Sequence, residues 1–275
     1  MTIFCKLPPL CAKYGRVLDG KTKGIEQILE DLRALDRIAI ALASEEQNNV
    51  ALTGPAGCGK TTTVQKLAEM IGEGRYPRLA GRKVCELNID IINQDKGKRD
   101  LLFKHILDEA EYYGIIIYID EAHRLSENLG PTNLLNTLKP YITSGGISML
   151  ISTTSEEFKR YIAQDRAMER RFQAVELREP PQDRVAAILE KVAAVRYPLT
   201  QIPGAAINEI VRLAALCSPQ RSEPARSLEL LHYTVSAVQL NLPRQEYAEK
   251  ITAADARRAA SLKADGLPEG DDINA

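Results

Sequence analysis

The sequence has no long hydrophobic run. Its longest apolar stretches, such as Gly114 to Ile119, fall far short of the roughly 20 residues needed to cross a bilayer, so no membrane partner is expected. The N-terminus MTIFCKLPPLCAKYGR has no apolar core behind a basic start, which argues against a secretory signal. Charge bias is also missing. With 36 Lys+Arg against 37 Asp+Glu, the net charge is -1, which excludes a strongly basic nucleic-acid binder but leaves room for a local basic patch. There is no cysteine framework. The five cysteines, Cys5, Cys11, Cys58, Cys85 and Cys217, are odd in number and scattered. That pattern suits reduced thiols and a cytoplasmic location. No pair has zinc-knuckle spacing, and Cys5 with Cys11 is at most half a metal site. Internal repeats and long low-complexity segments are absent too. What remains is ordinary globular composition, 44% hydrophobic and 27% charged over 275 residues, enough for one large domain or two modest ones.

Residues 1–27 are rich in Lys, Gly and Pro and have no period, so they read as an irregular arm. A helical pattern begins at Ile28 and continues through Leu32, Leu35, Ala39 and Leu42. Strands and helices then alternate. Val50–Thr53, Lys83–Leu87, Ile115–Ile119, Ile147–Ser152 and Ala174–Leu177 read as strands. Lys60–Ile71, Asp100–Tyr113 and Pro131–Ile142 read as helices, with Pro131 in a first turn. Unbroken apolar strands fit a parallel sheet covered on both faces. The pattern changes at Glu179-Pro180-Pro181. Beyond it Asp183–Val195, Ala205–Leu216 and Pro224–Leu242 read as helices, and Thr252 to Asp255 as the capping box of a final helix ending near Ala264. The expected organisation is an arm (1–27), an α/β domain (28–179), a small helical domain (180–264) and a disordered acidic tail (265–275).

Gly54-Pro55-Ala56-Gly57-Cys58-Gly59-Lys60-Thr61 satisfies G-x-x-x-x-G-K-[ST] at every defined position. Glycines let such a loop curl so that its backbone N–H groups face phosphate oxygens. The helix that follows points its positive end at the same place. The expected nucleotide-binding set is Gly54 through Thr61 with Thr62 behind it. Lys60 is expected on the β- and γ-phosphates and the Thr61 hydroxyl on Mg²⁺. Ile115–Ile119 should deliver Asp120 to the same metal and Glu121 to the water that attacks the γ-phosphate. His123 suits a structural or coupling role better than proton transfer.

These residues resemble an AAA+ ATPase, and among such proteins the first ATPase module of Clp-type unfoldases and disaggregases. The resemblance runs from about Ile28 to Val238. It includes Asn48-Asn49, the phosphate loop, Tyr118-Ile119-Asp120-Glu121-Ala122-His123, Asn133-Leu134-Leu135 through Lys139-Pro140, Ser152-Thr153-Thr154, Tyr161-Ile162 and Glu169-Arg170-Arg171-Phe172. It implies a P-loop three-layer sandwich with a five-stranded parallel sheet, followed by an all-α lid. It also implies ATP and Mg²⁺ as cofactors, and assembly with further copies of the chain into a hexameric ring or helical oligomer. By position, Thr154 resembles the sensor 1 residue, Arg170 and Arg171 the paired arginine fingers, and Arg226 sensor 2. Ile28 and Leu29 fall where the family packs apolar residues against adenine. Fixed cations make chemical sense there, because phosphoryl transfer depends on positioning and charge stabilisation.

The sequence also departs from the family. No counterpart of the recruiting N-terminal domain, the coiled-coil insertion or the second ATPase module is expected in these 275 residues. Where those motors carry an aromatic pore residue, this chain reads Asp95-Lys96-Gly97-Lys98-Arg99-Asp100. The second pore-facing segment, from Ser126 to Thr132, is short. Processive gripping of polypeptide is therefore not expected. The resemblance implies an ATP-hydrolysing motor or switch that remodels a protein partner. The alternative is a nucleic-acid-associated regulator or loader of the transposition, clamp-loader or branch-migration type, whose phosphates the basic loop would suit. A nucleotide-gated scaffold without turnover fits less well, since Glu121 is intact.

Overall fold

The computed structural model describes residues 7–18, 32–94, 98–126, 133–240, 242 and 248–263. The expectations for Ile28, Leu29, Lys96, Gly97, Pro131 and the acidic tail lie outside these residues. The described part divides into two units. One holds the residues up to 54 together with 60–177. The other holds residues 55–59 and those from 178 onward.

In the first unit the chain runs α1 (Pro9–Tyr14), β1 (Gly15–Leu18), α2 (Leu32–Leu42), β2 (Asn49–Thr53), α3 (Lys60–Gly72), β3 (Val84–Leu87), α4 (Ile89–Gln94), α5 (Arg99–Tyr113) and β4 (Ile116–Ile119). It continues with α6 (Leu134–Ser144), β5 (Ser148–Thr153), the one-turn α7 (Ser155–Glu157), α8 (Arg166–Glu169) and β6 (Phe172–Glu176). The strands form one sheet in the order β1-β3-β4-β5-β2-β6. Five of them, β2 to β6, pair in parallel. Side chains alternate across the sheet. Ala51, Cys85, Ile117, Ile119, Met149 and Ile151 join one core with residues of α5 and α6. Their neighbours Val50, Leu52, Ile116, Tyr118 and Leu150 are just as buried, so both faces of the sheet are covered. This is why these strands read as continuous apolar runs.

Helix boundaries have local causes. α5 stops at Gly114, whose φ of 66° lets its N–H reach back to Ala110 and Glu111 carbonyls. α6 starts where the Asn133 side chain accepts the Leu135 N–H at 2.9 Å.

Two expectations need correction. The arm is not irregular throughout, because it contains α1 and β1. β1 adds a sixth strand antiparallel to β3, with Gly15 opposite Leu87 and Leu18 opposite Val84. A Cβ at Gly15 would come within 2.7 Å of both the Cys85 sulfur and the Glu86 carbonyl, so only glycine fits. The Glu109 carboxylate on α5 accepts the Leu10 and Cys11 N–H groups at 3.1 and 2.8 Å, closing the open start of α1. A four-residue strand of Gly, Arg, Val and Leu has too little pattern to be read alone. It exists because the edge of β3 offers it a partner.

The second unit contains α9 (Gln182–Arg196), α10 (Gly204–Cys217), α11 (Ala225–Gln239) and α12 (Ala253–Lys263). Val185, Leu189, Ile207, Ile210, Leu231 and Val235 form its core together with Ile251 and Ala256. As expected, Thr252 and Asp255 exchange side-chain and backbone hydrogen bonds at the start of α12. The described extended pairing here is a single bridge, Gln201 to Lys250.

Candidate nucleotide site

β2 hands the chain to Gly54, and α3 begins six residues later at Lys60. Gly57 and Gly59 have φ values of 86° and 98°, a region that side chains with a Cβ rarely enter. Gly57 is also hemmed in, since a Cβ there would lie 2.7 Å from the Ala225 Cβ. Pro55 and Ala56 are exposed and Cys58 is buried. Lys60 folds back so that its Nζ donates to the Gly54 carbonyl at 2.8 Å. The Thr61 hydroxyl donates to Asp120 Oδ2 at 2.8 Å. Thr62 follows in the first turn of α3. Lys60, Thr61 and Asp120 are thus together, brought to the C-terminal ends of β2 and β4.

Asp120 is held on its other oxygen as well. Oδ1 accepts the Glu121 backbone N–H at 3.1 Å and the hydroxyl of Ser152, at the end of β5. The phenol of Tyr118 lies 3.1 Å from the Ser152 oxygen. Ser152 already donates to Asp120, so Tyr118 is the donor to Ser152. Burial, and then the nearby Asp120 charge, raise the Tyr118 phenol well above its ordinary range, which keeps it a donor. Neither Tyr118 nor Ser152 was recognised from the sequence as belonging to the site. The available signal was a tyrosine inside an aliphatic strand and a serine at the end of another.

Glu121 has φ 53° and ψ 58°, and among the described residues it is the one non-glycine with positive φ. Such a conformation costs about 1 to 3 kcal/mol and gathers at functional sites. The Glu121 carboxylate pairs with Arg124, which also pairs with Asp90 of α4.

Thr154 sits just past β5 and caps α7. Its hydroxyl accepts the Glu157 N–H at 3.2 Å, while Glu157 Oε2 accepts the Thr154 N–H at 3.0 Å and the Thr153 hydroxyl at 2.9 Å. His123 Nδ1 lies 3.4 Å from Glu157 Oε1. Burial pushes the Glu157 carboxyl up. The Thr154 N–H and the threonine hydroxyls, with His123 beside them, outweigh that and leave it below its ordinary value.

Arg170 and Arg171 are not brought to the loop. They precede β6, whose first residue, Phe172, pairs with Asn49 at the start of β2. They therefore lie at the opposite end of the sheet from Gly54. Arg171 donates to the Glu46 carbonyl at 3.3 Å, and the Arg170 carbonyl accepts from Gln47. Arg226 opens α11 in the helical unit. Its Nε donates to Glu223 Oε1 at 2.6 Å, and its Nη1 to the Arg221 carbonyl at 3.2 Å. Glu223 is 3% exposed and also accepts from Ser227.

Residues 50–178 match the family described as "ATPase family associated with various cellular activities (AAA)". This stretch holds the phosphate loop, the Asp120-Glu121 pair and the two arginines. The chain is 33% identical over 219 residues to the chaperone protein ClpB of Yersinia enterocolitica, covering 75% of this chain and 24% of that protein. It is 28% identical over 290 residues to the chloroplastic chaperone protein ClpC3 of Oryza sativa subsp. japonica, covering 94% of this chain and 31% of that protein. A cryo-EM structure of Hsp104 in its closed state, with ATPγS and FITC casein, superposes with a TM-score of 0.80 at 25% identity, covering 93% of this chain and 45% of that one. The chain thus spans between about a quarter and a third of these two curated relatives' length. Family model and relatives together support a resemblance to Clp-type AAA+ ATPase modules. Among the described residues, no helix is long and apolar enough to cross a membrane.

Proposed function

We propose that this chain hydrolyses Mg-ATP, assembles with further copies of itself through shared active sites, and remodels a protein partner. The observation that carries the reading is the meeting of Lys60, Thr61 and Asp120 at the ends of β2 and β4, with Glu121 next in the chain. The Thr61 hydroxyl and Asp120 carboxylate are hard oxygen donors 2.8 Å apart, the donor chemistry that Mg²⁺ takes. Bound there, Mg²⁺ supplies charge neutralisation on the phosphate oxygens.

The chain's own residues supply the rest. The N–H groups of residues 56–59 and the start of α3 receive phosphate oxygens. Lys60 exchanges its Gly54 carbonyl for the β- and γ-phosphates. Glu121 orients the attacking water and takes its proton, a role worth about 10² to 10⁴ in rate. Thr154, at the end of the neighbouring strand, positions the same water. Arg170 and Arg171 serve the site of the next subunit, and their place at the far end of the sheet supports that role. Arg226 contacts nucleotide only by exchanging its Glu223 partner. Ile28 and Leu29 are assigned to adenine on the resemblance alone.

The protein client rests on the relatives, which are Clp chaperones, and on casein in the Hsp104 complex. A ring or helical assembly rests on the same likeness. The test is nucleotide affinity and steady-state turnover for two variants, with and without an unfolded protein such as casein. Lys60→Ala should lose nucleotide binding. Glu121→Gln should bind as tightly as the parent and fall by about 10² to 10⁴ in turnover. Unaltered turnover in Glu121→Gln would remove the catalytic assignment.

A further inference from the structure

Asp120 carries two hydrogen bonds that the phosphate-loop motif does not require. Its Oδ2 faces Thr61, as the motif predicts. Its Oδ1 is taken by the Ser152 hydroxyl and the Glu121 N–H. Behind Ser152 stands Tyr118, whose ring is fully buried on β4 and whose phenol donates to the serine oxygen. β4 and β5 are neighbours in register, with Tyr118 opposite Leu150 and Ile119 opposite Ile151. Tyr118 and Ser152 are thus held by two buried strands rather than by a loop.

This arrangement has a directional logic. A carboxylate joined to its chain by one rotatable bond beyond Cβ can turn and present either oxygen, or neither, to a metal. Two donors on Oδ1 fix the plane of the group and leave Oδ2 aimed at Thr61. Ser152 has one proton to give and gives it to Asp120. It keeps that direction only if something else donates to its own oxygen, which is what the Tyr118 phenol does.

We propose that Ser152 and Tyr118 are positioning residues for the magnesium site, a relay that sets Asp120 so that it and Thr61 bind the ion together. This rests on the proposed function, in which Asp120 and Thr61 take Mg²⁺. Partners behind a ligand typically change metal affinity by about 10- to 100-fold when removed. Ser152 touches Asp120 directly, and Tyr118 braces Ser152 while its phenol also lies against Asp120 and Thr61, so the two contributions overlap and are not fully additive.

The experiment is a Mg²⁺ titration of binding of a fluorescent non-hydrolysable ATP analogue, so turnover does not enter. Ser152→Ala should raise the half-saturating Mg²⁺ concentration by about 10-fold or more. Binding of the analogue in EDTA should not change. Tyr118→Phe should shift the midpoint less. The double variant should shift by less than the sum of the two single variants, and Ser152→Thr should keep the parent midpoint. Far-UV circular dichroism checks that each variant is folded. Tyr118→Phe, which removes a single oxygen, keeps the test open should Ser152→Ala fail to fold. A parent-like midpoint in a folded Ser152→Ala, or fully additive shifts in the double variant, overturns the relay while leaving the nucleotide site intact. Absence of Mg²⁺-dependent binding in the parent protein overturns the proposed function itself, and the relay with it.

Discussion

Consider the double substitution Arg170→Ala/Arg171→Ala. Both arginines stand before β6, and β6 pairs in register with β2 from Asn49↔Phe172 to Thr53↔Glu176. The phosphate loop begins one residue past Thr53. At about 3.3 Å per residue, β2 separates the two ends by roughly 16 Å, well beyond the reach of an arginine side chain. A phosphate in the same chain's loop is therefore out of range, so the proposed finger role requires a neighbouring copy. An arginine finger is worth about 10³ to 10⁵ in rate, or about 4 to 7 kcal/mol, so the double variant alone should be almost inactive.

Lys60→Ala alone should be inactive for a different reason. Mixed one to one in a head-to-tail assembly, random neighbours place an intact loop beside intact arginines at about a quarter of interfaces. The mixture should then recover about that fraction of parental turnover, with the yield peaking near equal proportions. The assay is steady-state phosphate release across a mixing series, with sedimentation run in parallel to show that the variants still assemble. Activity equal to the sum of the two inactive partners at every ratio, in assembled material, would refute the reasoning.

Two further outcomes follow from the ion pairs. Arg226→Ala leaves the Glu223 carboxylate buried without its guanidinium, so the helical unit should lose about 3 kcal/mol of unfolding free energy in urea; a loss of nucleotide affinity with no loss of stability would instead favour the sensor role. Glu157 has its folded-state value held below the ordinary 4.5, so the carboxylate contributes stability above that value and loses it as pH falls through the folded one. The stability deficit of Glu157→Gln relative to the parent should therefore be full near neutrality and shrink below about pH 4.5; a deficit that does not vary with pH would mean that the capping geometry, not the charge, carries the effect.

The central parallel strands β2, β4 and β5 could be read from the sequence because burial on both faces favours largely apolar runs. Ile116–Ile119 and Ser148–Thr153 have few other ways to satisfy that demand. The edge strand β1 could not be read. Gly15 and Arg16 say nothing about pairing until β3 is in place and the space beside Cys85 admits only a glycine. α4 went unread because six residues, Ile89–Gln94, span too few turns to show a period. The described start of α6 is marked by one side chain, the Asn133 cap, and not by hydrophobic spacing.

The site divides along the same line. Lys60, Thr61, Asp120 and Glu121 occupy motif positions because phosphate and metal chemistry permits only certain groups there, so the chemistry itself writes the pattern into the chain. Tyr118 and Ser152 follow a looser rule. Any donor to Asp120 Oδ1, braced by a second donor and carried without disturbing two buried strands, would satisfy it, so residue type alone does not mark them. Only the register of β4 against β5 brings a tyrosine and a serine 34 positions apart onto one carboxylate. The same contrast separates Arg170 from Arg226. Both are arginines near a carboxylate in the sequence, yet one stands exposed at the end of β6 while the other is locked on a buried glutamate. An exposed guanidinium is open to meet another chain. A guanidinium that neutralises a buried carboxylate must first find that carboxylate a substitute, and this makes Arg226 the site assignment most in need of its stability measurement.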